Sequence, residues 1–293
     1  MKKLLFVLNP FAGTRKAPRS LCEIVTEFNR ADFDVTVHIT NAPGDCIQVV
    51  RRLADQMDLV VCCGGDGTFN ETVTGILQSG CDVPVGYIPA GSTNDFARSL
   101  NLETDVIKAA RRIAEGECSY YDIGMIGQRH FTYIASFGAF TRASYATPQN
   151  LKNALGHTAY ILEGIQELGQ IKPVYMRVQI DEKIVEDEFI FGAVCNSTSV
   201  AGILTLDPER VDMSDGLFEV LLVRKPKDLM DLSKAVQSLT KKTYDSPLIT
   251  FCSAKRVQVI TEEALTWSLD GEREDGGTQV DICNLHRAIR LVR

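Results

Sequence analysis

The densest group of residues able to do chemistry is Gly64-Gly65-Asp66-Gly67-Thr68-Phe69-Asn70-Glu71. Glycine reaches backbone conformations closed to other residues and lets main-chain N–H groups approach an anion with no Cβ in the way. An apolar run precedes the loop at residues 59–63, and Val73, Ile76 and Leu77 follow at helical spacing. That order predicts strand, loop, helix, so the positive end of the helix would add to the amides in holding phosphate. Asp66, between glycines, could hold a metal-bound water or position phosphate ligands. A tight turn that simply needs glycine is the plainer reading, and the carboxylate is what points to a nucleotide. Neither the P-loop pattern nor the Rossmann spacing is present. Two further loops repeat the theme: Asn9-Pro10-Phe11-Ala12-Gly13 after the apolar run 4–8, and Pro89-Ala90-Gly91-Ser92-Thr93-Asn94-Asp95-Phe96-Ala97-Arg98 after the run 83–88. Each alone is ordinary turn chemistry. Three at the strand ends of one sheet would converge on one edge, where open α/β sheets bind ligands.

Two acidic turns stand later in the chain. Trp267-Ser268-Leu269-Asp270-Gly271-Glu272 offers two carboxylates close together, able to accept or orient the proton of a hydroxyl in phosphoryl transfer. Asp-Gly is also a common hairpin signal, and a hydrophilic turn explains it equally. Asp212-Met213-Ser214-Asp215-Gly216-Leu217 sets two aspartates three apart with a backbone carbonyl beyond the glycine, a set suited to a hard cation, or to a solvated loop.

These residues need elements to position them. Over the first ~125 residues buried strand patterns alternate with helical ones, Leu21, Ile24, Val25 and Phe28 marking one helix, and Ile47, Val50, Leu53, Ala54 and Met57 another. Val35, Val37 and Ile39 alternate as a strand. Such alternation implies crossover units and a mostly parallel sheet. Beyond residue 125 strand patterns dominate, at 174–180, 189–195, 217–223, 257–260 and 280–283, with helical patterns at 151–168 and 229–239. The expected division is an α/β domain over 1–124 and a β-rich domain over 125–293.

The 293 residues are 45% hydrophobic and 24% charged, the composition of an ordinary globular protein. A formal charge of −7 argues against nucleic acid as a partner. Five apolar residues before Asn9-Pro10 are too few for a signal peptide, and no run approaches a membrane span. Nine cysteines without a C-x-x-C pair fit reduced thiols and a cytoplasmic setting. Basic clusters at Arg224, Lys225 and Lys227 and at Lys241-Lys242 read as solvated surface. Phe131, Tyr133, Phe137 and Phe140 read first as core and second as the lining of an apolar pocket.

The blocks Gly64-Gly65-Asp66-Gly67-Thr68, Asn70-Glu71 and Pro89-x-Gly91-x-Thr93-Asn94-Asp95-Phe96-Ala97-Arg98 resemble the two signatures of the diacylglycerol kinase catalytic-domain family, which includes sphingosine and ceramide kinases and is distantly similar to NAD kinases and phosphofructokinases. The late Asp270-Gly271-Glu272 extends the resemblance over nearly the whole chain. It implies a three-layer α/β nucleotide-binding domain followed by a mainly antiparallel β-sandwich. It implies ATP contacts at Asn9, Pro10, Gly13, Thr40, Gly64, Gly65, Asp66, Gly67, Thr68, Asn70 and Thr93, with Asp66 and Asp95 organising magnesium and water near the phosphates. Asp270 is implied as proton acceptor, with Glu272 linking it to the ATP site, and Asp212, Asp215 and the Leu217 carbonyl as ligands of a second, structural Mg2+. Where family members often have Ser-Gly-Gly, this chain has Ala12-Gly13-Thr14, and it reads Gly138-Ala139-Phe140-Thr141 where many relatives carry an acidic residue.

The implied activity is transfer of the γ-phosphoryl of ATP to a lipid hydroxyl, diacylglycerol first, by a cytoplasmic homodimer that touches the membrane transiently, with the acceptor entering between the domains. Another lipid, a soluble hydroxyl compound, and a nucleotide-binding regulator without catalysis are the alternatives. Four retained carboxylates (Asp66, Asp95, Asp270 and Glu272) argue against the last.

Overall fold

Residues 4–8 are apolar without alternation because the strand they form is covered on both faces: Leu4 to Leu8 are all 0–1% exposed. The computed structural model describes residues 1–13, 16–138, 172–200 and 204–293. Thr14, Ala139, Phe140, Thr141 and the expected helix at 151–168 lie outside them. The chain divides into two compact units, residues 1–123 with 285–293, and residues 124–284.

The first unit runs β1 (Lys2–Leu8), α1 (Lys16–Arg19), α2 (Leu21–Arg30), β2 (Phe33–Ile39), α3 (Asp45–Leu53), β3 (Leu59–Gly64), α4 (Asp66–Ser79), β4 (Val85–Pro89), α5 (Asp95–Ser99), α6 (Val106–Glu115) and most of β5 (Cys118–Ile126). Its sheet has the order β2-β1-β3-β4, all parallel, with Leu4 opposite both Val35 and Leu59. Leu4, Phe6, Leu8, Val61 and Cys63 pack with Ile24 and Phe28 of α2 and Ala109, Ala110 and Ile113 of α6. The alternate residues Leu5, Val7, Val60 and Cys62 are equally buried and point to the opposite face, as strand geometry requires. Helices α3 and α4 contribute the buried Val49, Val50, Phe69 and Val73. The result is the expected three-layer α/β domain. β2 is the edge strand, which is why Val37 and Ile39 are 38% and 51% exposed despite their alternation.

The second unit comprises β6 (Arg129–Phe131), β7 (Ile134–Gly138), β8 (Val174–Ile180), β9 (Lys183–Cys195), the short pair β10 (Ser199–Val200) and β11 (Leu204–Thr205), β12 (Phe218–Arg224), α7 (Leu229–Lys241), β13 (Ile249–Ala254), β14 (Arg256–Thr261), β15 (Thr266–Leu269), β16 (Glu272–Asp275) and the start of β17 (Gln279–Val292). The long β9 serves two sheets. Its first half pairs with β8, which continues through β14 to β17. Its second half pairs with β7 and β12, which continue to β15-β16 and to β13. All these pairings are antiparallel, and Met176, Val178, Phe189, Val194, Phe218, Val220, Val257, Trp267 and Ile282 fill the core of the sandwich. Phe131, Tyr133 and Phe137 are 0–4% exposed, so they are core rather than an open pocket lining.

The last strand outruns its apolar signal. The pattern stops at Cys283 because His286, Arg287 and Arg290 interrupt it, yet β17 continues to Val292 and joins the parallel sheet, with Leu291 opposite Val85. The interrupting charges find partners in the first unit. The Arg287 amide and the His286 ring both bond the fully buried Asp122 carboxylate, and Arg290 bonds Asp82.

Candidate active site

Three loops leave β1, β3 and β4 at the same ends of parallel strands, and they hold one another. Asn9 donates from its amide N–H to the Cys63 carbonyl (3.0 Å) and from its side chain to Thr68 Oγ1 (3.1 Å), tying the first loop to the first turn of α4. Its Oδ1 accepts from the Phe11 amide (3.0 Å). Gly13 has φ +48°, and a Cβ there would lie 2.2 Å from the Ala90 carbonyl oxygen. The Gly64 carbonyl accepts from the Ala90 and Gly91 amides (2.7 and 3.1 Å). A Cβ on Gly91 would lie 2.5 Å from Gly65 Cα. Glycine is therefore required by contact between backbones at Gly13 and Gly91.

Asp66 opens α4, with Gly65 as its N-cap. Its two carboxylate oxygens accept from the Asp95 and Phe96 amides (3.0 and 3.3 Å), so it caps the short α5. Asp95 is 3% exposed. Asn94, at φ +51°, closes its own loop by accepting from the Gly91 amide and donating to the Gly91 carbonyl, both at 3.0 Å. Thr40 is buried beside the end of β1, its amide donating to the Leu8 carbonyl (2.9 Å). Pro10, Gly67, Asn70 and Thr93 are partly buried in the same loops and turns. Glu71 turns away from the phosphate side and accepts from the Gly44 amide (2.8 Å). Both carboxylate oxygens of Asp66 are thus held in place by amides of α5. The donor set therefore fits a metal-bound water better than direct ligation by both oxygens.

In the second unit Asp270 and Gly271 form a two-residue hairpin between β15 and β16, with φ +49° and +88° as such turns need. Asp270 is only 8% exposed. One of its oxygens accepts from the Thr132 amide and hydroxyl (2.6 and 2.9 Å), the other from the Tyr133 and Ile134 amides (both 3.0 Å). Asn196 and Ser197 hold the same segment from behind, their side chains donating to the carbonyls of Thr132 and Tyr133. A carboxylate accepting four hydrogen bonds is a fastener with its lone pairs engaged. Glu272 is different: its side chain is 64% exposed, and its contact is with the Arg129 guanidinium at 3.4 Å. Thr132, Asn196 and Arg129 were not legible as site residues, and Tyr133 only as core or pocket lining, since their roles arise from strand pairing across more than sixty residues.

The acidic loop before β12 is partly satisfied internally. Asp212 accepts from the Ser214 amide and hydroxyl, and Asp215 from the Leu217 amide. The Leu217 carbonyl accepts from Asn284 (3.1 Å). Beside it, Glu219 is 2% exposed, with Oε2 lacking a hydrogen-bond partner, and Asn284 Oδ1 is likewise buried without one. Burial, and after it the charges of Asp215 and Asp212, push the Glu219 carboxyl up to about 8. Oxygen acceptors thus outnumber donors here, as a hard cation would require. Among the described residues, however, no three His, Cys, Asp or Glu side chains gather closely enough to form a metal site by themselves.

The α/β domain with glycine loops at its strand ends, followed by a β-sandwich, defines a class of ATP-dependent kinases. Residues 3–126 match the family model of the diacylglycerol kinase catalytic domain, and residues 134–292 that of the YegS C-terminal NAD kinase beta sandwich-like domain. The diacylglycerol kinase of Bacillus subtilis (strain 168) is 31% identical over all of this chain and 96% of its own length. That of Staphylococcus carnosus (strain TM300) is 31% identical over 99% and 94%. The crystal structure of a diacylglycerol kinase from Bacillus anthracis str. Sterne covers 99% of this chain and 96% of its own with a TM-score of 0.77 at 21% identity, a likeness of fold. The chain belongs to the diacylglycerol kinase family. It is a lipid kinase, and kinases of this family use ATP with a divalent metal. Among the described residues no helix is long and apolar enough to cross a membrane.

Proposed function

We propose that this kinase phosphorylates the free hydroxyl of diacylglycerol, giving phosphatidic acid and ADP, with Mg2+ as the divalent ion. The observation that carries this reading is the whole-length similarity to proteins named diacylglycerol kinase, joined to the three interlocked loops of the first unit. In this reading the first unit, which residues 285–293 complete, binds ATP and the second serves the acceptor. The amides of the first turn of α4, within residues 64–70, with Asn9, Pro10, Gly13, Thr40 and Thr93 around them, hold the phosphates. Asp66 and Asp95 order the water shell of the ion, which when bound neutralises charge on the β- and γ-phosphates. The lipid oxygen bonds the γ-phosphorus as the bridging P–O bond breaks, ADP leaves with that electron pair, and a carboxylate takes the hydroxyl proton. The four donors on Asp270, set against the exposed carboxylate beside Arg129, favour Glu272 as that proton acceptor and Asp270 as the residue that fixes its hairpin. Positioning and charge neutralisation then supply most of the acceleration.

The test is transfer from γ-labelled ATP with magnesium to detergent-dispersed diacylglycerol, other lipid alcohols and soluble alcohols in parallel, with Glu272→Gln as control. Transfer to diacylglycerol above the other acceptors, lost in the variant, is the expected result. Transfer to a soluble alcohol alone would overturn it. The enzyme is proposed to act as a cytoplasmic homodimer in transient contact with the membrane; light scattering and vesicle co-sedimentation check the two parts. A second cation is proposed at Asp212, Asp215 and the Leu217 carbonyl, supported by the surplus of buried oxygen acceptors around Glu219.

A further inference from the structure

Arg129 opens β6, 143 residues before Glu272, and its guanidinium lies between two carboxylates of β16. Nη2 is 3.4 Å from Glu272 Oε2, and Nη1 is 3.4 Å from Glu274 Oε2. Glu272 and Glu274 are two residues apart on one strand, so they share a face and their charges repel. The Glu272 side chain is 64% exposed and that of Glu274 28%. Remaining charges nearby are otherwise engaged. Arg273, on the opposite face of β16, pairs with Asp275 (3.1 Å). The Asp270 carboxylate faces the amides of 132–134. His130, the next residue on β6, alternates to the other face, and burial holds its ring below the ordinary histidine range. Strands β15 and β7 bring no charged residue to the hairpin. An exposed pair of this kind adds little to folding stability. What it can hold is the rotamer of a single carboxylate.

We propose that Arg129 is a positioning residue for phosphoryl transfer, a cation shared between Glu272 and Glu274 that holds the Glu272 carboxylate turned toward the acceptor hydroxyl. The inference rests on the reading of Glu272 as proton acceptor. Because the cation is shared, its two neighbours make opposite predictions. Removing Arg129 leaves Glu272 beside Glu274 alone and makes it easier to protonate. Removing the Glu274 charge withdraws a like charge and gives Arg129 wholly to Glu272, which makes it harder to protonate.

The experiment is kcat against pH at saturating ATP and lipid for the wild type, Arg129→Gln, Arg129→Lys, Glu274→Gln and Glu272→Gln. The acidic limb is expected to move up by roughly half a pH unit in Arg129→Gln and down by a similar amount in Glu274→Gln, the scale set by exposed ion pairs. Arg129→Lys restores the limb toward wild type, and KM for ATP holds across the series. A merely structural arginine would lower kcat without moving the limb. If Glu272→Gln is inactive while the limbs of the other variants coincide, or move in the same direction, the role of Arg129 is refuted alone. A Glu272→Gln enzyme with wild-type turnover and limb refutes the proton-acceptor reading, and the role of Arg129 with it.

Discussion

At the scale of single residues the two carboxylates of the Asp270-Gly271-Glu272 turn are indistinguishable by type and unlike in surroundings. Asp270 accepts four hydrogen bonds from residues 132–134, and Glu272 is solvated beside one arginine. Glu272→Gln is therefore expected to lower kcat by about 10²–10⁴, the range of general-base catalysis, with ATP affinity and thermal stability kept. Asp270→Asn is expected to lower stability as well, because the amide cannot accept all four bonds and each buried donor left without an acceptor costs about 1–3 kcal/mol. Turnover and Tm measured together on both variants check this; an Asp270→Asn protein with wild-type Tm and no turnover would return the proton-acceptor role to Asp270. In the phosphate loop, a Cβ on Gly65 would meet only Gly91 Cα, at 3.3 Å. Gly65→Val is thus expected to leave the fold standing and to abolish ATP binding by filling the space over the α4 N-terminus. Unchanged ATP affinity by calorimetry would refute the loop assignment.

At the scale of elements, the short loops between strands and helices set both chemistry and rigidity. Helix α5 has five residues and starts at the oxygens of Asp66, so a residue of the first loop's partner helix also caps the next one. Such a cap is worth about 1 kcal/mol. The loop entering β12 concentrates Asp212, Asp215 and the buried Glu219 without a matching cation among its own side chains. If a divalent ion binds there, ion at a hundredfold its Kd stabilises by about 2.7 kcal/mol, raising Tm by roughly 2–4 °C for each of those kcal/mol in a protein of this size. Asp215→Asn should erase most of that gain while the chelated forms of both proteins melt together. Equal gains from magnesium in wild type and variant would remove the cation from this loop.

At the scale of the whole molecule, residues 285–293 belong to the first unit although the described residues between 124 and 284 belong to the second. Ile289, Leu291 and Val292 are 0–6% exposed, and Leu291 pairs with Val85 at the side of β4 away from β3. Burying three such side chains contributes on the order of 5–9 kcal/mol, comparable with the net stability of a whole domain. A chain ending at residue 284 is expected to lose cooperative unfolding of the ATP-binding unit and to bind no ATP. Retention of ATP binding by the shortened chain would show that β17 is dispensable.

The sequence by itself determined the glycine loops, the parallel sheet beneath them, the antiparallel second half and the family. Those signals are local: a continuous apolar run or an alternating one reports its own burial, and glycine reports the backbone beside it. Asn9, Gly13, Asp66 and Asp95 could be read as one site because each follows a strand of the same sheet. Only the tertiary structure decided which carboxylate of the hairpin is engaged, since the donors to Asp270 come from residues 132–134 and the partner of Glu272 from residue 129. It alone carried β17 past its apolar signal and revealed the buried carboxyl of Glu219. A hydrogen bond or an ion pair depends on where two distant backbones meet, and the spacing of residues along one strand holds no record of that meeting.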